Sequence, residues 1–337
     1  MAWRGTSVTR AQIKFAISAS LLIIITVQSF STSLVASNID GDYYIYLQHY
    51  DSVNDYSLES LIPNARWEPL YVMISWAFRS MGITFDAFLM ICAALLSISY
   101  FLFSRLAISN SILACLATTI FILSPLFHSL TLIALRQGLS TSFLLLAATY
   151  GLQGRRPLVI TCCLAAVATH LSAIFFILAG AAALSAASRS IIFLIFSIVI
   201  IMLYTTGFLS TVFTRLLTPL LTGSSFGGLL VHYNYTVGFK ITFLIFSAAT
   251  LILGWMSVHK NKDEKISILL RFTTIVTLGY MMASGFPAHD RIAIVSWIIS
   301  PIFFSYVILR IIRISRISLA NTKSYSATPY ASKSLDD

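Results

Sequence analysis

The sequence contains few charged residues. Asp, Glu, Lys and Arg make up 10% of its 337 residues, whereas hydrophobic residues make up 58%. A soluble globular domain carries about 25% charged residues, so this composition excludes that class. We therefore expect lipid to surround most of the chain.

Motifs of several enzyme classes are also missing. The four cysteines all lie inside apolar runs, which argues against a disulfide framework. No glycine-rich loop followed by Lys resembles a nucleotide phosphate site, and no spacing of His, Cys, Asp and Glu resembles a metal site. The sequence therefore predicts no nucleotide-driven chemistry, no metal and no other cofactor.

The charge that is present is unbalanced, with a formal net charge of +10. A basic excess can indicate nucleic acid binding, but in a membrane protein it normally marks cytoplasmic loops that face anionic lipid. The basic clusters are the N-terminus, Arg105, Arg155-Arg156, Arg189, Lys260 to Lys265 and the tail from Arg310. We therefore predict membrane lipid and no nucleic acid among the partners, and both termini in the cytoplasm.

The long apolar runs are continuous, which favours spanning helices over a β-barrel. Chain length and helix length predict about ten of them. Placing every basic cluster on one side of the membrane gives spans at 13–36, 84–104, 109–129, 138–153, 157–169, 171–187, 190–209, 239–258, 266–284 and 290–312. The predicted fold is an all-α, polytopic transmembrane bundle in one domain, residues 1–320, with a disordered cytoplasmic tail at 321–337.

Two segments do not fit a simple alternation of spans. Residues 67–81 look helical but are too short and too charged to cross, so we predict an amphipathic helix on the outer membrane surface. Residues 157–187 could form one long helix, but two short helices that meet at an outer turn near His170 keep Arg189 inside. The predicted outer segments are then 37–83 and 210–238.

Two arginines lie at predicted outer ends of the helices. Arg136 interrupts an apolar hairpin at the outer boundary, where an unpartnered cation is costly, and its planar guanidinium suits a phosphate. Arg291 begins the last span at a similar depth, so the two arginines could clamp a pyrophosphate. The alternative is a structural role: Arg136 could snorkel to the interface or pair with a structural carboxylate, and both arginines could simply anchor helix ends.

Candidate groups for proton transfer lie on the same side. Glu68 and Asp42 are placed where a general base would meet an acceptor hydroxyl beside the membrane. Glu68 followed by Pro69 is also a typical beginning of a helix, which would give Glu68 a structural role. Acidic residues in a solvent-exposed loop are usually only solvated. His170 could act as a base, donate to a phosphate or cap the helix break, although a lone His among apolar residues is often structural.

Several short motifs follow one another between apolar segments over about residues 40–180. They are Asp42-Tyr43 with Tyr46, Trp67-Glu68-Pro69-Leu70-Tyr71, Arg136-Gln137-Gly138-Leu139-Ser140, Arg155-Arg156 and His170-Leu171-Ser172-Ala173. In this order they resemble the EpsG-like, Wzy-type family of bacterial polysaccharide polymerases. The second half of the chain matches only in hydropathy and in Arg291. Ser140 stands where a small Ala is common, a change that we expect to matter little.

The resemblance implies an enzyme of the bacterial inner membrane with an extracytoplasmic active site. Its expected reaction is polymerisation of undecaprenyl-diphosphate-linked oligosaccharide repeat units by glycosyl transfer from the lipid diphosphate to an acceptor sugar hydroxyl. The surface helix after the first span is similar to the GT-C architecture of membrane glycosyltransferases. A chain-length regulator is a candidate partner.

The residues assigned to this site fall into two groups. The catalytic candidates are Glu68, Asp42, Arg136 and His170, and the substrate-binding candidates are Arg136, Gln137, Arg291 and Tyr71. Two alternative functions stay open. One is an O-antigen ligase or another lipid-linked-sugar glycosyltransferase, and the other is a polysaccharide flippase or transporter. A transporter would be expected to show polar groups at the bilayer midplane and repeated halves, which this sequence lacks.

Overall fold

The computed structural model describes residues 26–27, 42–55, 67–185, 191–208, 211–212, 215, 240–258, 263–285 and 290–311. Three predicted features lie wholly or mostly outside these residues: the span at 13–36, the outer segment 210–238 and the tail at 321–337. Within the described residues the chain is helical and contains no strand, which confirms the all-α class.

The described helices are numbered here in chain order. They are α1 (Asp42–Ser52), α2 (Pro69–Ser80), α3 (Phe85–Ile108), α4 (Ser111–Ile122), α5 (Pro125–His128), α6 (Leu135–Leu152), α7 (Arg156–Thr169), α8 (Ala173–Leu184), α9 (Ile191–Thr205), α10 (Ile241–Val258), α11 (Glu264–Met282) and α12 (Asp290–Trp297, continuing to Ile311). A π-helical turn, Ser129–Ile133, follows α5.

Local sequence explains where several helices begin. Pro69 starts α2, at the position where its missing N–H costs least. The Thr84 hydroxyl accepts a hydrogen bond from the Ala87 N–H at the start of α3, and the Asn110 side chain does the same for the first amides of α4. Gly154, with φ +74°, allows the tight turn from α6 into α7. These signals set the helix boundaries close to the predicted ones.

Four of the described helices are long and apolar enough to cross a membrane: α3, α10, α11 and the full α12. Helix α4 and the segment Pro125–Ile133 would form a fifth crossing, but they are bent by 64° relative to each other. Helices α7, α8 and part of α9 are apolar and shorter. The protein is therefore membrane-embedded, whereas the count of ten spans and the GT-C architecture stay predictions.

The order of predicted segments agrees with the helices, and two differences are informative. The predicted span 109–129 is broken after Leu123, because Pro125 begins a new helix in a different direction. The outer segment 37–83, which was predicted to be a connection with one surface helix, also contains α1. The proposed split of 157–187 is confirmed: α7 ends at Thr169 and α8 begins at Ala173.

Two helices organise the packing. Helix α6 packs against α3 and α7, and α11 packs against α8, α9, α10 and α12. Contacts of α3 join these two groups: the Tyr100 hydroxyl donates to the Ile298 carbonyl at 2.7 Å, and Lys265 Nζ donates to the Leu106 carbonyl at 3.1 Å. The first turns of α6 and α12 are joined directly by a hydrogen bond from Gln137 to the Arg291 carbonyl.

Candidate functional site

The first turn of α6 carries Arg136 and depends on the π-helical turn before it. A Cβ atom on Gly138 would lie 2.0 Å from the carbonyl oxygen of Leu130, in that turn. Only glycine therefore lets the π-helical turn pack directly on α6. Such turns are rare and frequently occur at functional sites.

Arg136 forms an ion pair that is mostly shielded from solvent. Its Nη1 donates to Glu68 Oε2, and each of the two side chains is 19% exposed. The Trp67 ring lies 5.3 Å from the guanidinium carbon, and the Tyr46 hydroxyl interacts with the same guanidinium. Arg136 Nε is buried and has no hydrogen-bond partner in the described part of the chain. The guanidinium is thus held firmly but keeps an unused donor.

The Glu68 carboxylate also binds the break between α7 and α8. His170 Nδ1 lies 3.0 Å from Glu68 Oε1, and the Leu171 N–H donates to the same oxygen at 3.2 Å. One carboxylate at the start of α2 therefore joins Arg136 of α6 to His170. Glu68 thus directly contacts Arg136 and His170, and all three residues were predicted to lie on the same side of the membrane.

The environment of Glu68 determines its charge. Burial alone would raise the pKa of this carboxyl group, but the hydrogen bond from His170 and the positive charge of Arg136 outweigh burial and lower its pKa from 4.5 to about 2. Glu68 is therefore ionised at neutral pH. A carboxylate that is so well stabilised as an anion is a weak proton acceptor.

A second ion pair joins α1 to α12. Arg291 Nη2 donates to Asp42 Oδ2 at 2.6 Å, and the side chains are 27% and 23% exposed. Gln137, the neighbour of Arg136, donates from Nε2 to the backbone carbonyl of Arg291. The structure therefore brings both predicted arginines and both predicted carboxylates together at one end of the bundle.

Aromatic side chains of α1 and α2 lie beside Arg136. Tyr71 is fully buried, with ring centres 5.4 Å from Trp67 and 5.9 Å from Tyr46. The His49 ring lies 4.3 Å from Trp67. Burial, together with the charge of Arg136, lowers the pKa of His49 to about 4, so His49 is neutral at pH 7.

His49 was missed by the sequence analysis. A signal for it exists, because Asp42, Tyr46 and His49 are spaced by four and three residues and so share one face of a helix. Reading 42–52 as a helix would have placed all three side by side.

Ser140 forms a contact that an alanine could not form. Its hydroxyl donates to the Ala166 carbonyl at 2.9 Å, and the His170 N–H donates to the same carbonyl at 2.9 Å. Ser140 therefore ties α6 to the end of α7, directly beneath His170. The expectation that this substitution matters little stays a prediction.

The cluster suits an anionic ligand. Two guanidinium groups can bind phosphate oxygens through charge-assisted hydrogen bonds. Among the described residues, no group of three or more His, Cys, Asp or Glu side chains is placed to hold a metal ion.

The fold and the site together define an all-helical membrane protein with two linked arginine–carboxylate pairs at one end of its bundle. More particularly, the chain belongs to the EpsG family, whose model matches residues 18–323. This match confirms the resemblance seen in the motifs and indicates a polysaccharide polymerase-type membrane protein. Comparison with curated proteins gave no match, and neither did comparison with solved structures.

Proposed function

We propose that this protein polymerises lipid-diphosphate-linked oligosaccharide repeat units on the extracytoplasmic side of the bacterial inner membrane. The observation that carries the proposal is the convergence of Arg136 and Arg291, each paired with a carboxylate, at one end of an apolar bundle. Membership of the EpsG family supports the same class of reaction. The proposed carrier is undecaprenyl diphosphate, and a chain-length regulator is a proposed partner.

The two arginines would stabilise the leaving group. Glycosyl transfer breaks the bond between the anomeric carbon of the donor sugar and the diphosphate, and negative charge accumulates on the departing phosphate. Cations fixed in advance at that position are usually the largest single contribution to rate. The bound phosphate would compete with Glu68 and Asp42 for their guanidinium partners.

His170 is the group best placed to accept the proton. Glu68 Oε1 faces Nδ1, so a proton on Nδ1 leaves a lone pair on Nε2. No described residue forms a hydrogen bond with Nε2, which can therefore take the proton of the acceptor hydroxyl as its oxygen attacks the anomeric carbon. The Glu68 carboxylate would then stabilise the imidazolium ion, as the carboxylate does in a Ser-His-Asp triad.

Asp42 is a second candidate base. It gives up its ion pair if Arg291 turns to the diphosphate, and its carboxylate oxygens can then accept a hydrogen bond from the acceptor hydroxyl. Tyr71 packs beneath the cluster, and the role proposed for it is to support Trp67 and Tyr46.

Purified protein supplied only with synthetic lipid-linked repeat units provides the test. Wild-type protein should produce a ladder of glycan lengths. Arg136→Ala, assayed at the same protein concentration, should lower the rate of ladder formation by about 10²–10³-fold. The single lipid-linked units should then remain unextended. Arg79→Ala is the matched control, because Arg79 is also an arginine of the outer segment but pairs with Asp51 instead.

Each outcome separates the candidate functions. A ladder that persists unchanged in Arg136→Ala would remove Arg136 from the mechanism. If no ladder forms, a separate acceptor glycan is added to the reaction, and transfer of a single unit to that acceptor would indicate a ligase. Absence of both reactions in the wild-type protein would overturn the proposal and favour transport.

A further inference from the structure

Gln137 lies between the two ion pairs. Its side chain is 3% exposed, Nε2 donates to the Arg291 carbonyl, and Oε1 has no hydrogen-bond partner in the described segments. An amide that is buried in this way and bonded to backbone is poorly placed to contact a sugar. It is well placed to hold the start of α12 against the start of α6.

Helix α1 shows that the two guanidinium groups are close. Asp42 binds Arg291, and Tyr46, one helical turn later on α1, interacts with Arg136. Side chains four residues apart on a helix are separated by about 5–6 Å at Cβ. The two arginines therefore reach the same face of α1 about one turn apart.

Helix α6 cannot easily shift to change this spacing. Gly138 packs against the backbone of Leu130, and Ser140 is bonded to the Ala166 carbonyl of α7. Gln137 lies between these two fixed points. The hydrogen bond from Gln137 to the Arg291 carbonyl therefore ties α12 directly to the turn of α6 that carries Arg136.

We propose that Gln137 is a positioning residue that fixes the spacing of the Arg136 and Arg291 guanidinium groups, so that both bind a single diphosphate. A monophosphate would engage one of the two groups, and the site would therefore select a diphosphate over a monophosphate. This inference rests on the proposed function, and it explains how the site would select a diphosphate as the leaving group.

The test measures binding of inorganic pyrophosphate and inorganic phosphate to the purified full-length protein by calorimetry. Wild-type protein should prefer pyrophosphate by about tenfold or more, because one additional charge-assisted contact is worth that factor. Gln137→Leu keeps a similar volume but cannot donate to Arg291. It should lose most of that preference and approach Arg291→Ala, which keeps a single arginine.

Ser142→Ala is the matched control. Ser142 is also a buried polar residue of α6, but its hydroxyl donates within the helix, to the Gly138 carbonyl. It should keep the wild-type preference. A general loss of stability would weaken the binding of both anions together and leave their ratio unchanged, so the ratio separates positioning from folding.

A Gln137→Leu protein that keeps the wild-type preference would overturn this inference and leave the proposed function standing. If Gln137→Leu does not fold, Gln137→Asn takes its place: the shorter amide should give a reduced preference, and an unchanged one overturns the inference. Wild-type protein that prefers phosphate, or binds both equally, overturns the diphosphate clamp itself. Ladder formation from lipid-linked units then decides separately whether the protein is a polymerase.

Discussion

Glu68 binds Arg136, His170 and the Leu171 amide with a single carboxylate. Its low pKa follows from these contacts and has a consequence for stability. Because its pKa is about 2 in the folded protein and 4.5 when unperturbed, ionised Glu68 stabilises the folded state above pH 4.5. This contribution is lost as the pH falls toward 2.

We therefore predict that Glu68→Gln lowers the free energy of unfolding by about 1–3 kcal/mol at pH 7, since an amide pairs less well with Arg136. The difference between variant and wild type should shrink as the pH falls below 4.5. Thermal unfolding of both proteins in the same detergent, from pH 7 to pH 3, measures it. A difference that does not depend on pH would contradict the assigned charge of Glu68.

Single residues differed in how well the sequence predicted them. Arg136, Glu68 and His170 stood out because charged or titratable groups are costly beside apolar runs, and topology placed them on one side. Their pairing was not predictable, since Glu68 and Arg136 are 68 positions apart in the chain. Tyr71 was predicted as a substrate contact, but its complete burial could not be foreseen from the sequence.

At the level of elements, the π-helical turn Ser129–Ile133 and the start of α6 act as a unit. The Ala134 N–H bonds to the Ser129 carbonyl at 2.7 Å, and the turn then packs on Gly138. Arg136 lies between these two contacts. The conformation of the turn therefore sets the position of the arginine.

Gly138→Ala should displace this turn. The added Cβ would meet the Leu130 carbonyl oxygen at 2.0 Å, and relief of such overpacking typically costs about 1–3 kcal/mol. We expect a lower melting temperature and, because Arg136 moves, a lower rate of ladder formation.

Gly180→Ala is the control, because nothing lies within 4 Å of the Cβ that it would add in α8. It should be neutral or slightly stabilising. Equal effects of the two substitutions on activity would show that the contact with Leu130 does not position Arg136.

Helices were predicted better than their interruptions. Long apolar runs such as α3 and α11 give a strong signal, and the break at His170 followed from the need to keep Arg189 inside. Helix α1 was not predicted, because its tyrosines and acids resemble a polar loop more than an apolar stripe. The bend at Pro125 was also missed, although proline gave a local signal for it.

For the molecule as a whole, the sequence predicts how the helices are oriented across the membrane. The loop that contains Leu171 should face the outside, and the turn near Ile112 should face the cytoplasm. Both residues lie on the protein surface, with 56% and 69% exposure, so the protein itself does not shield cysteines introduced there.

In a background without the native cysteines, Leu171→Cys in intact cells should react with a membrane-impermeant maleimide. Ile112→Cys should react only after the cells are permeabilised, because the positive-inside rule predicts that Arg105 and the turn beside it face the cytoplasm. The labelled fraction on gels measures both. Reaction of both positions from the same side would contradict the predicted topology and the extracytoplasmic location of His170.

The sequence predicted the whole molecule in outline only. Composition and the continuous apolar runs were enough to predict a membrane-embedded, all-helical chain. The groups of helices around α6 and α11 are joined by contacts such as the hydrogen bond between Tyr100 and Ile298. These two residues are 198 positions apart in the chain. No local pattern encodes such a contact, so the convergence of Arg136 and Arg291 required a structure.

Helix α7 has 14 residues and is therefore about 21 Å long, whereas the hydrocarbon core of a bilayer is about 30 Å thick. With Arg155 and Arg156 at the inner interface, as the positive-inside rule predicts, His170 lies several ångströms below the outer one. If each of these helices crosses the membrane as predicted, the lipids beside α7 and α8 would thin to match them. The carrier headgroup would meet the protein in a local depression, and the thickness of the host bilayer would itself influence the rate of the reaction.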